Sequence, residues 1–153
     1  MATEGKVVRR EEAETVLLPG TRVACLVGGR DSQHCSLIEF RVEPGCGSGV
    51  HYHTTFEEVF YVLEGDVRFV LGGSEVVAGP GTAIVAPAGC PHGYGNEGTA
   101  AARMLMITMP GGYEQYFGKV AELIGSQGAV DAEAVGALRR QYDTVQLSPP
   151  RIR

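Results

Sequence analysis

The chain has 153 residues, near the length of one domain, with 18 acidic and 13 basic side chains and a net charge of −5. It has no basic block to suit a nucleic-acid partner, and no apolar run approaches the roughly 20 residues of a membrane span. The opening Met1-Ala2-Thr3-Glu4-Gly5-Lys6 lacks the apolar stretch of a secretory signal, so a cytoplasmic location is expected. Cys25, Cys35, Cys46 and Cys90 show no C-x-x-C spacing and read as reduced, small apolar residues. Glycine is abundant at 22 residues, 12 of them between Gly45 and Gly98, and three of the four histidines (His51, His53, His92) fall in that window.

From Arg22 to Met109 the pattern is one of short β-rich runs cut by Gly and Pro, as in a sandwich or barrel. The predicted strands are Arg22–Val27, Ser36–Val42, Glu57–Glu64, Asp66–Leu71, Ser74–Val77, Thr82–Pro87 and Ala101–Met109. The turn at Gly65 reads as a hairpin. After Pro110-Gly111-Gly112 the period becomes helical. Tyr113, Tyr116, Phe117, Val120, Leu123 and Ile124 share one stripe, and Gly125 stands where that helix is expected to stop. A second helix is predicted to start at Asp131, a good N-cap, with Val135, Leu138 and Tyr142 on one face. Both helices are expected on the outside of the β body, and the tail Ser148–Arg153 is expected to be loose. The organisation expected is one domain over 1–153, with a barrel at about 21–110 and helices at about 111–145.

The chemistry-bearing stretch is Gly45-Cys-Gly-Ser-Gly-Val-His51-Tyr-His53-Thr-Thr-Phe-Glu57-Glu58. Residues two apart on a strand share a face, so His51 and His53 project together and Tyr52 points away. Glu58 would fall on the wrong face of a continuous strand, but a turn through Thr54-Thr55-Phe56 moves it to the next one. There it shares a face with Phe60 and Val62, a carboxylate in an apolar lining that is costly unless paired or metal-bound. Downstream, Gly81–Pro87-Ala-Gly89-Cys-Pro91-His92 reads as a strand, a Pro/Gly turn and a residue that either is aimed back inward or merely starts the next strand.

These two blocks resemble the paired motifs of the cupin superfamily. The first, G-x5-H-x-H-x(3,4)-E-x6-G, matches Gly45, His51, His53, Glu58 and Gly65; the second, G-x5-P-x-G-x2-H-x3-N, matches Gly81, Pro87, Gly89, His92 and Asn96. The intervening residues 66–80 give the short spacing of single-domain microbial cupins, and the flanking strands resemble small quercetin-dioxygenase-like cupins.

The resemblance implies an all-β fold, a conical antiparallel barrel, with one divalent metal held by His51, His53, Glu58 and His92. Three neutral imidazoles and a carboxylate leave a divalent ion with a net charge of about +1 and open coordination positions. Fe, Mn, Ni, Co, Cu or Zn all suit such a set, and spacing does not choose among them. The activity expected first is a dioxygenase-type oxidation of an enolisable or aromatic small molecule. The alternatives are a non-redox polyketide cyclase or isomerase, and a barrel that binds without turnover. Glu58 is the candidate base and Tyr94 a candidate substrate hydrogen-bonding group at the mouth. Glu57 competes with Glu58 as ligand, but the spacing to Gly65 favours Glu58. Phe40, Phe60 and Phe69 are expected to pack the interior and wall the pocket. Arg103 could reach an anionic substrate, but the outward salt bridge is the expected reading, and His34 is expected in solvent. Tyr52 and Tyr61, pointing outward, are candidates for a subunit or helix contact, and a homodimer is expected.

Overall fold

The computed structural model describes residues 4–127 and 131–150. The strands are β1 (Glu14–Leu18), β2 (Thr21–Val27), β3 (Ser36–Val42), β4 (His51–Tyr52), β5 (Glu57–Glu64), β6 (Val67–Leu71), β7 (Ser74–Ala78), β8 (Ala83–Ala86), β9 (His92–Gly95), β10 (Ala102–Met109) and β11 (Val145–Gln146). They form two antiparallel sheets, ordered β1-β2-β3-β10-β5-β8 and β11-β4-β9-β6-β7. This is an all-β jelly roll, and alternation along its strands builds the interior. On β5, Glu58, Phe60 and Val62 are buried while Tyr61 is 43% exposed. Ile38 and Phe40 of β3, Phe69 of β6 and Met104 of β10 complete the core.

The glycines make the tight connections possible. Gly65 turns β5 into β6 at φ +73°, and a Cβ there would lie 3.2 Å from the Ala102 Cα. The two strands lie in different sheets and do not pair, so this turn is a crossover between sheets and not the expected hairpin. Gly89, at φ +82°, bends the loop before β9 so that its N–H donates to the His53 carbonyl at 2.6 Å. Both are left-handed conformations that favour glycine. Asn96 is buried after β9, where its Nδ2 donates to the carbonyls of Val42 and Ala100 at 2.9 and 2.8 Å. It thereby ties the smaller sheet to the larger.

Five sequence expectations about the chain's ends and helices are corrected. A strand, β1, precedes Thr21 and forms a hairpin with β2 through Pro19-Gly20; it is an edge strand with no buried residue, so it carries no strong alternation. The first helix, α1 (Glu114–Gln127), runs through Gly125, because glycine weakens a helix without ending it unless the backbone turns left-handed. The second, α2 (Ala132–Gln141), starts on Asp131 as expected, with Asp131 Oδ1 accepting from Glu133 N at 2.9 Å. It is followed by β11, which pairs with β4, so the chain is not helical up to 145. Nor is the tail loose at Ser148, whose Oγ accepts from Val50 N at 2.8 Å and whose N–H donates to the Val50 carbonyl at 3.1 Å; residues 151–153 of that expectation lie outside the described residues. Finally, the helices do not lie against the outside of the β body. Phe117 of α1 packs edge-on against the interior Phe40 at 5.3 Å, and both helices line the barrel's open end. The apolar stripe of α1 is satisfied by closing the mouth, which periodicity alone could not distinguish from lying on a wall.

Candidate metal centre

β4, β5 and β9 bring together the four motif side chains. His51 pairs in register with His92 across β4 and β9, and the two rings lie 4.5 Å apart. His53 stands just past the end of β4, with its ring 5.0 Å from His51 and 5.5 Å from His92. Glu58 enters from β5 after the turn through Thr54-Thr55-Phe56. All four residues are buried, and one potential ligand atom from each lies within 4.8 Å of every other. Glu57, the competing carboxylate, is half-buried and outside this group.

The hydrogen bonds orient the imidazoles. Each histidine places Nδ1 on a backbone carbonyl: His51 on Gly49 at 2.8 Å, His53 on Asp143 at 3.0 Å and His92 on Cys90 at 2.9 Å. A carbonyl only accepts, so each Nδ1 is the protonated nitrogen and Nε2 carries the lone pair of the neutral ring. His92 Nε2 lies 2.8 Å and His53 Nε2 3.4 Å from the Glu58 oxygens, and His53 Nε2 is buried without a hydrogen-bond partner. Lone pairs and a carboxylate crowded together repel unless a proton or cation sits among them. One divalent ion would answer every donor at once, so the residues present fit a metal. Nitrogen and oxygen donors without thiolate also match a site left open for ligands better than a closed structural zinc site.

Without an ion, a proton shared with the rings fills that role. Burial tends to raise the Glu58 carboxyl, but its hydrogen bonds with His53 and His92 outweigh it and hold the group down to about 2, ionised. Burial, reinforced by His92, pushes His51 down to about 4 and keeps its ring neutral. His53 is raised because the adjoining Glu58 outweighs its burial.

Above the cluster lies a cavity of about 200 Å³, lined by His51, Glu58, Phe60 and Tyr94 from the barrel and by residues of α1 and α2. Phe40 and Phe60 wall it as expected, while Phe69 packs behind Phe60 at 5.3 Å. Tyr94 lines the cavity, and burial together with the nearby Glu58 raises its phenol far above the ordinary range, so it stays a protonated donor. Arg103 is in an outward network, with Nη2 3.1 Å from Glu39 and a further pair with Glu64. His34 is exposed.

The sequence reading missed the C-terminal contribution. Asp143 adopts a left-handed φ of +51° just after α2. Its Oδ1 accepts from Thr54 N at 3.1 Å and Thr54 Oγ1 at 2.5 Å; its Oδ2 accepts from Thr55 N at 2.7 Å and Thr55 Oγ1 at 2.6 Å. Those bonds hold its carboxyl well below the usual carboxylate range against the pull of burial. The same residue's carbonyl accepts the His53 Nδ1–H, and Thr144 Oγ1 stands 3.4 Å from that nitrogen. Asp143 therefore fixes the ring plane of one metal-ligand candidate. No local motif signals this, because the partners are about ninety residues apart in the chain.

Comparisons with known proteins agree with this architecture. Residues 38–108 match the Cupin domain family model. The polyketide cyclase RemF of Streptomyces resistomycificus is 32% identical, with a TM-score of 0.62 over 69% of this chain and 80% of that one. The chain belongs to the cupin superfamily. KdgF of Halomonas sp. shares the fold at a TM-score of 0.63 and 20% identity, covering 70% of this cupin and 94% of that chain. Quercetin 2,3-dioxygenase of Bacillus subtilis (strain 168) is 28% identical over 103 residues, 66% of this cupin. This cupin spans only 30% of that relative's length.

Proposed function

We propose that this cupin is a metal-dependent enzyme acting on a small, apolar, enolisable molecule, in the first instance by dioxygenase-type oxidation. The observation that carries the proposal is the convergence of three tautomer-locked imidazoles and Glu58 at the floor of an aromatic-walled cavity. His51, His53, Glu58 and His92 would hold the ion, which when bound supplies Lewis acidity and, if redox-active, a route to dioxygen chemistry. Glu58, ionised and buried beside the cavity, is placed to take the acidic proton of an enol. Tyr94 offers a neutral phenol to a substrate oxygen, and Phe40 and Phe60 exclude water around an aromatic ring. The likeness to quercetin 2,3-dioxygenase supports oxidation. A non-redox cyclisation is the second reading, favoured by the 32% identity to a polyketide cyclase over most of that chain.

The test is elemental analysis of protein purified without added metal, followed by oxygen uptake with quercetin after loading each of Fe, Mn, Ni, Co, Cu and Zn. The oxidative reading expects uptake with at least one redox-active metal, and Tyr94→Phe should slow it about tenfold at unchanged metal content. Failure of every loaded form to consume oxygen would remove the oxidation and leave the cyclase reading.

A further inference from the structure

Of the side chains lining the cavity, Glu58 and Arg139 are the charged ones, and Glu58 belongs to the metal cluster at the floor. Arg139 comes from a different element, on the last turn of α2. Its Nε is buried with no hydrogen-bond partner, and it forms no ion pair with any described residue. Arg10, Arg68 and Arg103, by contrast, each meet a glutamate. The apolar surroundings do not reward a cation. Val120 and Ile124 of α1 and Val135 of α2 line the cavity with it. An unanswered guanidinium N–H in such a place costs free energy unless an acceptor arrives from outside. Arg139 is half-buried as a residue, but its Nε is shut off from water and left without an acceptor.

We infer that Arg139 is the anion-recognising residue of this cavity, and that the substrate carries a carboxylate on the side of an apolar body away from its metal-binding enol. A planar fork of N–H donors suits a carboxylate in bidentate geometry, and a low-polarity surround strengthens the pair. The metal cluster that includes Glu58 takes the enol and Arg139 takes the carboxylate, so two different parts of the lining fix the orientation of the molecule. The inference rests on the cavity's being the small-molecule site proposed above and adds the charge and orientation of its ligand.

The probes are 3-hydroxyflavones carrying a carboxylate at the 3′ or 4′ position, each beside its neutral carboxamide, titrated by their own fluorescence. Binding is measured to zinc-loaded and to metal-free protein, for the parent chain, Arg139→Gln and Arg139→Lys. The parent should favour the better-placed carboxylate over its amide by about tenfold or more. Because Arg139 is not among the metal-ligand candidates, that preference should persist without zinc. Arg139→Gln should abolish the preference while the amide's affinity stays within about twofold, and Arg139→Lys should restore part of it. The unchanged amide affinity also shows that the variant is folded. A preference that survives in Arg139→Gln, or that appears only with zinc, overturns the assignment while leaving the cavity as a binding site. If neither carboxylate nor amide binds any form, the small-molecule reading falls and the Arg139 assignment with it.

Discussion

The two regions that build the centre work by different means. The motif block from Gly45 to Asn96 supplies the donors, and the segment from Asp131 to Ser148 supplies their support. In the first, strand alternation and left-handed glycines aim side chains that are close in sequence or paired across neighbouring strands. In the second, a helix, a left-handed Asp143 and a two-residue strand reach back to the site from far along the chain. The difference teaches that the identity of a ligand set and the orientation of its members are separate problems. The first is local and solved by pattern; the second is long-range and solved by packing.

The largest effect should come from breaking the donor set itself. His92→Ala or His51→Ala should reduce metal retained through purification from stoichiometric to near zero, read by elemental analysis. The far-ultraviolet circular dichroism should remain that of a β protein, because the core of Phe40, Phe60 and Phe69 does not depend on the ion. Stoichiometric metal in either variant would remove that residue from the set.

A smaller effect, and the sharper one for the comparison, concerns the supporting region. Asp143→Ala should weaken metal affinity by about tenfold to a hundredfold, the usual consequence of losing a residue that orients a ligand. Its carbonyl remains, but the carboxylate that clamps Thr54 and Thr55 is gone, and alanine resists the left-handed backbone by about 1–2 kcal/mol. Asp143→Gly separates the two causes, since glycine relieves the backbone but also lacks the carboxylate. Equal losses in both variants, measured by competition with a chelator, assign the effect to the clamp. A normal affinity in the glycine variant would assign it to backbone strain instead.

The smallest effect should lie in neither region. Glu39 is buried on the outward side of β3, tied by Arg10 Nε at 2.8 Å and Arg103 Nη2 at 3.1 Å. Burial tends to raise its carboxyl, but the two guanidinium groups outweigh it and hold it below the ordinary carboxylate value. A lowered folded value means that the stabilisation is present above the ordinary carboxylate range and is lost as pH falls through the folded value. Glu39→Gln should therefore lower thermal stability modestly at neutral pH, by about 1 kcal/mol, and the difference from the parent should shrink on acidification. Metal content at neutral pH should not change.

Much of the larger sheet could be read from residues alone. Ser36–Val42 and Glu57–Glu64 are strands with the expected limits, because each buries alternate large side chains on the core and leaves the others outward. The grouping of His51, His53, Glu58 and His92 was equally legible, from two-residue spacing and a single turn. What escaped was set by partners rather than by pattern. Val145–Gln146 is a strand only because His51–Tyr52 offers it a free edge, and β1 is a strand only because β2 does. The placing of α1 over the mouth depends on Phe117 meeting Phe40, two residues in different elements. Asp143 and Arg139 escaped for the same reason, since nothing beside either residue in the chain announces a carbonyl for His53 or an unanswered cation in a cavity.

The acceptor for His53 Nδ1–H is made 90 residues after His53 itself. During synthesis the four donors leave the ribosome together with the barrel strands, while the carbonyl that orients one of them and the helix that roofs the cavity come later. A nascent chain that ends before Asp143 holds a complete set of ligating atoms but not their final arrangement. The finished seat for an ion thus exists only when the segment from Asp131 to Ser148 has folded back over the mouth.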